Sequence, residues 1–308
     1  MSTERFDRQI RLIGADGQAK IEKTSVGIVG LGGLGSHVAQ QLAYLGFKSY
    51  RLLDGDRATE SSLNRLIGAV PEDAKKSLYK VDIAERVIHA IEPNARIDTF
   101  SDFFVTENGF GHIRAVDVVI GAMDNDASRL ILNELCQAYN IPYLDLATDI
   151  DADAGVIGGR LVFSVDGRGC LSCAGELDQD ALNALFSTDG QLKEEREIYG
   201  VPQSVLGTRG PAVVSVNGLI GSLGVTELFM HVTGYSPVQT YLTYVARGPY
   251  PGIRIGADES DRDCYYCQVL RGQEATADVE HYIRDGWGPK LTERLGGGEE
   301  DRPAEVTR

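Results

Sequence analysis

The chain has 308 residues, and 43% of them are hydrophobic, which excludes a globally disordered protein. The length allows one large α/β domain or two smaller ones. The formal net charge of −15 argues against nucleic acid as the main partner, because no general basic surface is available to displace counterions from phosphates. The N-terminus is charged from Glu4 onward, and we expect no signal peptide there.

The first half of the chain alternates apolar strands with helices. Helices are predicted over residues 5–23, 37–45, 75–91 and 127–139, and strands over residues 25–30, 50–54, 95–100, 116–121 and 143–147. This alternation predicts an α/β fold with a doubly wound, mostly parallel sheet.

The second half is less regular. Strands are predicted over residues 159–165, 241–245 and 252–255, a polar crossover segment over residues 174–200, and a charged, flexible tail over residues 273–308. The apolar stretch 211–233 is long enough to cross a membrane. Asn217, Glu227 and His231 interrupt that stretch, so we interpret it as a buried helix.

Four glycines lie in the turn after the first strand, at Gly30, Gly32, Gly33 and Gly35. Glycine lets a backbone approach a phosphate closely, and the following helix offers unpaired N–H groups and a positive dipole end. Asp54 ends the next strand, where its carboxylate can accept a hydrogen bond from a ribose hydroxyl. This pattern indicates a nucleotide site, but it fits a dinucleotide dehydrogenase as well as an enzyme that uses ATP.

Four of the five cysteines form two Cys-x-x-Cys pairs, Cys170 with Cys173 and Cys264 with Cys267. Four thiolates can bind one Zn²⁺ in a closed tetrahedral site, which is structural rather than catalytic. Such pairs indicate metal binding in a reducing cytoplasm, and two separate redox pairs are the alternative. Cys136 is expected to be a small buried residue within a helix.

An ordered set of motifs separates the alternatives for the nucleotide site. The set comprises RFDRQI at residues 5–10, the GLGGLG turn, LDGD to SSLNR within residues 53–65, DN at residues 124–125 and the two cysteine pairs. From residue 5 to about residue 272, the chain resembles the ThiF/MoeB/HesA family of ubiquitin-activating-like enzymes. The resemblance implies an adenylation domain over residues 1–272, usually homodimeric. Its nucleotide half (1–150) and second half (151–272) would share one continuous Rossmann-like sheet.

The resemblance also implies a reaction. A peptide C-terminal carboxylate attacks the α-phosphorus of ATP, which releases pyrophosphate and gives an acyl adenylate. Arg8 matches an arginine that reaches the ATP phosphates from the partner subunit, and Arg65 matches a phosphate-binding arginine. Lys80 matches a lysine at the start of a helix, and Lys75 and Lys76 compete with it for this role. The alternative for each cation is an ordinary solvated or salt-bridged surface residue.

Asp124 matches the family aspartate that holds Mg²⁺ against the phosphates, and capping the next helix is its alternative role. Ser62 stands where the family typically has an asparagine that contacts the nucleotide. A hydroxyl offers fewer donors than an amide, and Asn64 is expected to compensate. The resemblance implies nucleotide contacts for further residues of these motifs, namely Asp56, Ser61, Ser62, Asn64 and Asn125.

The step after adenylation is indicated by what residues 174–211 lack. Many family members transfer the activated peptide to their own cysteine in this region, but here it contains none. We therefore expect a ubiquitin-like protein with a C-terminal glycine to be activated without a self-thioester and passed to a conjugating enzyme or a sulfurtransferase. LNRLIGAVPED and VVSVNGLIGSLGVTE resemble bacterial members encoded beside ubiquitin-like conjugation proteins.

Two other function classes compete with this hypothesis. An NAD-dependent oxidoreductase shares the glycine turn and Asp54 but explains neither Arg65, Asp124 nor the cysteine pairs. A non-catalytic scaffold subunit would bind a ubiquitin-like protein without adenylating it, and the retained arginine, lysine and aspartate set argues against that role.

Overall fold

The computed structural model describes residues 3–151, 155–178, 182–183, 186, 211–247, 250–256 and 260–294. At its centre lies an eight-stranded sheet with the strand order β3-β2-β1-β4-β5-β6-β7-β8. The strands are β1 (Ser25–Val29), β2 (Ser49–Leu53), β3 (Arg96–Phe100), β4 (Val118–Gly121), β5 (Tyr143–Asp151), β6 (Val156–Ser164), β7 (Tyr241–Arg247) and β8 (Gly252–Ile255).

Two pairing modes divide this sheet. Strands β3, β2, β1, β4 and β5 run parallel to their neighbours, whereas β5 to β8 pair antiparallel. Parallel neighbours need crossover connections, which helices supply. The main helices are α1 (Asp7–Lys23), α2 (Gly33–Leu45), α3 (Pro71–Lys75), α4 (Lys80–Ile91), α5 (Glu107–Arg114), α6 (Asp126–Ala138) and α7 (Val214–Thr233). The predicted doubly wound, mostly parallel α/β sheet is confirmed.

Helices cover both faces of the sheet, and each face has its own apolar core. Successive side chains of a strand point to opposite faces, so Ile28 and Val29 of β1 belong to different cores. Helices α1, α2, α4 and α7 pack with Ile28, and α5 and α6 pack with Val29. Burial on both faces explains why β1 and β4 read as continuous apolar runs.

The apolar stretch at residues 211–233 contains helix α7. This helix packs on α1, α2, β5 and β6, and Ile220 and Leu228 lie in the core, as predicted for a buried helix. None of the helices in the described ranges combines the length and apolar character that a bilayer crossing needs.

The helix predicted over residues 75–91 is interrupted. The chain leaves α3 at Lys75 and begins α4 at Lys80, with Ser77 at a positive φ of 47° in between. The backbone of this gap bonds to the loop after β2 instead: Ala58 N–H donates to Leu78 O at 2.8 Å, and Lys80 N–H donates to Asp56 O at 3.0 Å. A tertiary contact therefore replaces helical hydrogen bonds here.

The prediction of a flexible tail over residues 273–308 is wrong for the first part of that segment. Residues 274–294 include the short helices His281–Arg284 and Trp287–Arg294, and Val279, Tyr282 and Leu291 are buried in the same core as α6. Most charged residues of this segment are exposed or half-buried, and their number led to the prediction of a flexible tail. Residues 295–308 lie outside the described residues, as does most of the crossover segment 174–200.

Candidate nucleotide site and metal centre

The glycine turn begins where β1 ends. Gly30 has a φ of 89°, and its N–H donates to Leu53 O at 2.9 Å. A β-carbon at Gly30 would lie 2.6 Å from Ala122 O, so only glycine fits between β1 and the chain leaving β4. Gly32 then caps α2, and Gly33 is its first residue. The turn therefore presents a helix N-terminus at the carboxyl edge of the parallel strands.

Asp54 secures this turn. One carboxylate oxygen accepts the Leu31 N–H at 2.6 Å, and the other accepts the Asp56 N–H at 2.8 Å. Burial raises the pKa of the Asp54 carboxyl, and the positive charge of Lys80 opposes that shift. Each oxygen retains a lone pair, so the predicted bond to a ribose hydroxyl is compatible with this geometry.

The structure separates the three candidate lysines. Lys80 is only 8% exposed, and its Nζ lies 2.5 Å from Asp56 Oδ2. Lys75 and Lys76 are exposed on the far side of the gap, where both approach Glu72, at 4.0 and 3.3 Å. Of the three, Lys80 is the one that lies beside the two aspartates following β2.

Arg65 lies against the glycine turn. Its Cβ and Cγ are 3.3 and 3.2 Å from a β-carbon built on Gly33. Its guanidinium donates to Ser61 O at 2.6 Å and to Asn64 Oδ1 at 3.2 Å, so the loop that carries Arg65 also orients it. Phosphate binding by Arg65 stays a prediction, and its aliphatic carbons lie against the turn where the phosphates would bind.

The serines of the same loop have local roles in the structure. Ser62 is buried, and its hydroxyl accepts the Thr59 N–H at 3.3 Å, which closes the short helix Glu60–Ser62. Ser61 is exposed, with its hydroxyl 2.9 Å from that of Thr59. The nucleotide contact of Ser62 stays a prediction, and in the structure its hydroxyl holds the turn of its own loop.

Asp124 follows β4, whose last residue, Gly121, lies beside Val29 of β1. The Asp124 side chain is exposed. The cap of α6 is Asn125, whose Oδ1 accepts the Ser128 N–H at 2.8 Å. The alternative role of Asp124 as the helix cap is therefore filled by its neighbour. Parallel strands place their ligands at their carboxyl ends, so Asp124 shares an edge with the glycine turn.

Arg8 is placed by the residues around it. Phe6 is buried, Arg5 Nη1 lies 2.9 Å from the buried carboxylate of Glu92, and Gln9 donates to Leu45 O at 2.9 Å. These three contacts fix the first turn of α1 on the domain and leave Arg8 exposed on its outer side. Within the described residues of this one chain, Arg8 forms no hydrogen bond or ion pair with the glycine turn.

A buried ion-pair network next to Asp124 was not predicted. Arg129, only 3% exposed, donates to both oxygens of Asp145 on β5 and to Asp126 Oδ1 at 2.9 Å. The Tyr143 hydroxyl also donates to Asp145, at 2.7 Å. The network fixes the start of α6 and so the loop that carries Asp124. The arginine three residues after Asp126 was its signal in the sequence, because residues at that spacing meet on a helix.

The two cysteine pairs converge as predicted. Sγ–Sγ distances are 3.9 Å for Cys170–Cys173, 3.7 Å for Cys170–Cys264 and 3.6 Å for Cys173–Cys267, and all four sulfurs lie within 4.8 Å of one another. A tetrahedral zinc site with Zn–S bonds of about 2.3 Å requires sulfurs roughly 3.8 Å apart, so the four thiols fit this ion. Cys136 lies apart from them, buried in α6.

The fold and the site define an α/β protein with a Rossmann-like glycine turn and a four-cysteine cluster that could hold a metal ion. Residues 6–257 match the ThiF family, and the chain belongs to that family. The resemblance stated from the motifs is thereby confirmed.

Individual relatives cover different shares of the chain. Ubiquitin-like modifier-activating enzyme 5 of Drosophila virilis is 26% identical over 297 residues, which is 88% of this chain and 69% of that protein. Adenylyltransferase and sulfurtransferase MOCS3 of Drosophila willistoni is 33% identical over 140 residues, or 45% of this chain. The match spans only 30% of the length of MOCS3.

Solved structures share the fold at lower identity. Escherichia coli MccB, crystallised with AMPCPP and MccA, superposes with a TM-score of 0.67 at 17% identity, covering 86% of this chain and 75% of that one. PaaA superposes with a TM-score of 0.61 at 21% identity, covering 82% and 81%. These likenesses show a common architecture.

Proposed function

We propose that this chain is an ATP-dependent adenylyltransferase that activates the C-terminal carboxylate of a ubiquitin-like protein. The observation that carries the proposal is the packing of Arg65 on Gly33 of the glycine turn, with Lys80 close to Asp54 and Asp56 beside it. A dinucleotide dehydrogenase needs no such cations around its turn. The names of two relatives, a modifier-activating enzyme and an adenylyltransferase, support the same reaction.

The charges around the turn suit this chemistry. A carboxylate oxygen forms a bond to the α-phosphorus of ATP as the bond to the β-phosphate oxygen breaks, and pyrophosphate leaves with that electron pair. Two anions must approach each other, so positive groups at the phosphates lower the barrier. Among the residues that the structure describes, Arg65 and Lys80 supply positive charge near the turn. Asp124 would hold a Mg²⁺ ion, which screens phosphate charge when bound.

Arg8 completes the proposed site from a second copy of the chain in a homodimer. Arg5, Phe6 and Gln9 fix the first turn of α1 while Arg8 points outward, as a residue that acts on a partner would. An arginine suits this role because its planar fork binds phosphate oxygens in pairs.

The activated product is proposed to leave this chain without becoming a thioester on it. Residues 174–211 contain no cysteine, and burial strongly raises the pKa of the Cys136 thiol, which keeps it a poor nucleophile. The acceptor is then a cysteine of another protein, in a conjugating enzyme or a sulfurtransferase.

ATP–pyrophosphate exchange tests this proposal. The wild-type chain should exchange label only with a ubiquitin-like protein that ends in glycine. Asp124→Asn and Arg65→Ala should each reduce exchange by about 100-fold, because each removes charge stabilisation at the phosphates. Asp285→Asn and Arg96→Ala, matched changes of exposed residues away from the site, should leave it intact. Equal exchange in all four variants would show that the assigned groups do not serve the reaction.

A further inference from the structure

Helix α7 delivers a buried amide to the glycine turn from the second half of the chain. Asn217 lies on the first turn of α7 and is only 3% exposed. Its Nδ2 is so close to the backbone of Gly33 that a β-carbon on that glycine would overlap it. The third glycine of the turn is therefore required by Asn217, some 180 positions away, as much as by any phosphate.

Gly33 is held between two side chains. Asn217 lies against it together with the Cβ and Cγ of Arg65, which would be 3.3 and 3.2 Å from the same β-carbon. Gly32 differs, because no atom of the described residues lies within 4 Å of a β-carbon built there. The turn is thus clamped at Gly33 and open at Gly32, next to the unpaired N–H groups of α2, where an anion binds most favourably.

The position of Asn217 is set by close packing between α7 and α2. Gly218 and Gly221 face His37 of α2, and a β-carbon on Gly218 would lie only 3.0 Å from the imidazole Cε1. The absence of side chains on these glycines lets the two helix backbones approach. Asn217 can reach the turn only because the next residue along α7 is a glycine.

We infer that Asn217 is a positioning residue for the phosphate side of the glycine turn. It acts through Gly33, holding the start of α2 in the shape that receives phosphate, with its amide donors beside the same helix end. The inference rests on the proposed function for the identity of the nucleotide. It makes the phosphate site a joint product of both halves of the chain.

Nucleotide binding separates this role from a general packing role. Asn217→Ala should raise the KM for ATP about tenfold while kcat stays within about twofold, because the variant loses the contact that holds Gly33 in the phosphate-binding shape. Adenosine, which has no phosphate, should compete for the site equally well before and after the substitution. Ser222→Ala, an exposed change on the same helix, should leave both ligands unaffected.

Asn217→Asp sharpens the comparison because it keeps the shape of the side chain. It replaces amide donors with a negative charge near the phosphates, so ATP affinity should fall further than in Asn217→Ala, again without loss of adenosine binding. Equal losses for ATP and adenosine, or unchanged ATP affinity in both variants, would overturn the inference.

A stability cycle tests the contact without reference to activity. Gly33→Ala should lower Tm by on the order of 3 °C, because the added methyl overlaps the amide. In the Asn217→Ala background, Gly33→Ala should lower Tm by clearly less. Equal losses of Tm from Gly33→Ala in both backgrounds would overturn the inference. Wild-type protein that binds ATP but exchanges no pyrophosphate with any ubiquitin-like protein would refute the proposed function alone. Failure to bind any phosphate-bearing nucleotide would overturn both.

Discussion

Lys80 shows how surroundings decide the role of a residue that has near neighbours of the same type. Lys75, Lys76 and Lys80 have the same side chain, yet Lys80 is buried beside Asp56 and the other two are exposed to solvent. The Lys80 ammonium is paired with the Asp56 carboxylate, and we expect it to contact a phosphate instead when ATP binds.

Substitution of Lys80 should therefore affect activity far more than substitution of its neighbours. Lys80→Met keeps the length of the side chain but removes its charge, and pyrophosphate exchange should fall by about 100-fold. Lys75→Met is the matched control and should retain wild-type exchange, since its ammonium lies in solvent. The exchange assay measures both, and circular dichroism checks that each variant is folded. A larger defect in Lys75→Met would reverse the assignment.

Helices α2 and α7 form the element pair that carries the site. Their glycines allow an approach that half-buries His37 and leaves its buried Nε2 without a hydrogen-bond partner among the described residues. Burial lowers the pKa of His37 from its usual 6.5, while a hydrogen bond with the Val214 backbone opposes the shift. The folded protein therefore resists protonating this ring, and the unfolded chain does not.

This difference predicts how stability depends on pH. The unfolded chain takes up a proton on this residue near pH 6.5, and the folded chain takes it up only at lower pH. His37 thus supports full stability above pH 6.5, and that contribution declines as the pH falls below it. Between pH 7.5 and 5, the unfolding free energy of His37→Gln should fall less than that of the wild type, because glutamine does not titrate. Urea denaturation measures this difference. Gln40→Ala, a non-titrating change on the same helix, should keep the wild-type slope, and an identical slope in His37→Gln would contradict the prediction.

At the scale of the whole molecule, the four cysteines close the fold. Cys170 and Cys264 are 94 positions apart, and the chain between them includes α7, β7 and β8. Arg271 donates to Cys267 Sγ at 3.2 Å and to Arg168 O at 2.7 Å, so the two ends are also joined by hydrogen bonds. A metal that binds only the folded arrangement adds its binding free energy to stability.

Metal removal should therefore destabilise the whole domain. Elemental analysis should find about one Zn²⁺ per chain, as a single four-thiolate site requires. Cys264→Ser should lose that ion and lower Tm by at least several degrees, because a long loop is released. Cys136→Ser changes a buried cysteine outside the cluster and should keep the ion, which separates metal loss from loss of a core thiol. Two results together would rule out a structural zinc: wild-type protein that contains no metal, and a Cys264→Ser variant with the wild-type Tm.

The alternating elements, the glycine turn, Asp54 and the two cysteine pairs could be predicted from the sequence, because they depend on local periodicity and on short motifs with fixed spacing. The sequence also led to the family, through the order of its motifs. The three-dimensional contacts were needed to show that Lys80 lies beside Asp56, that Asn125 rather than Asp124 caps α6, and that the Ser62 hydroxyl bonds within its own loop. The ordered segment after residue 273 and the contact of Asn217 with Gly33 were equally hidden. Each of these depends on contacts between segments far apart in sequence, where burial and hydrogen bonding override local pattern.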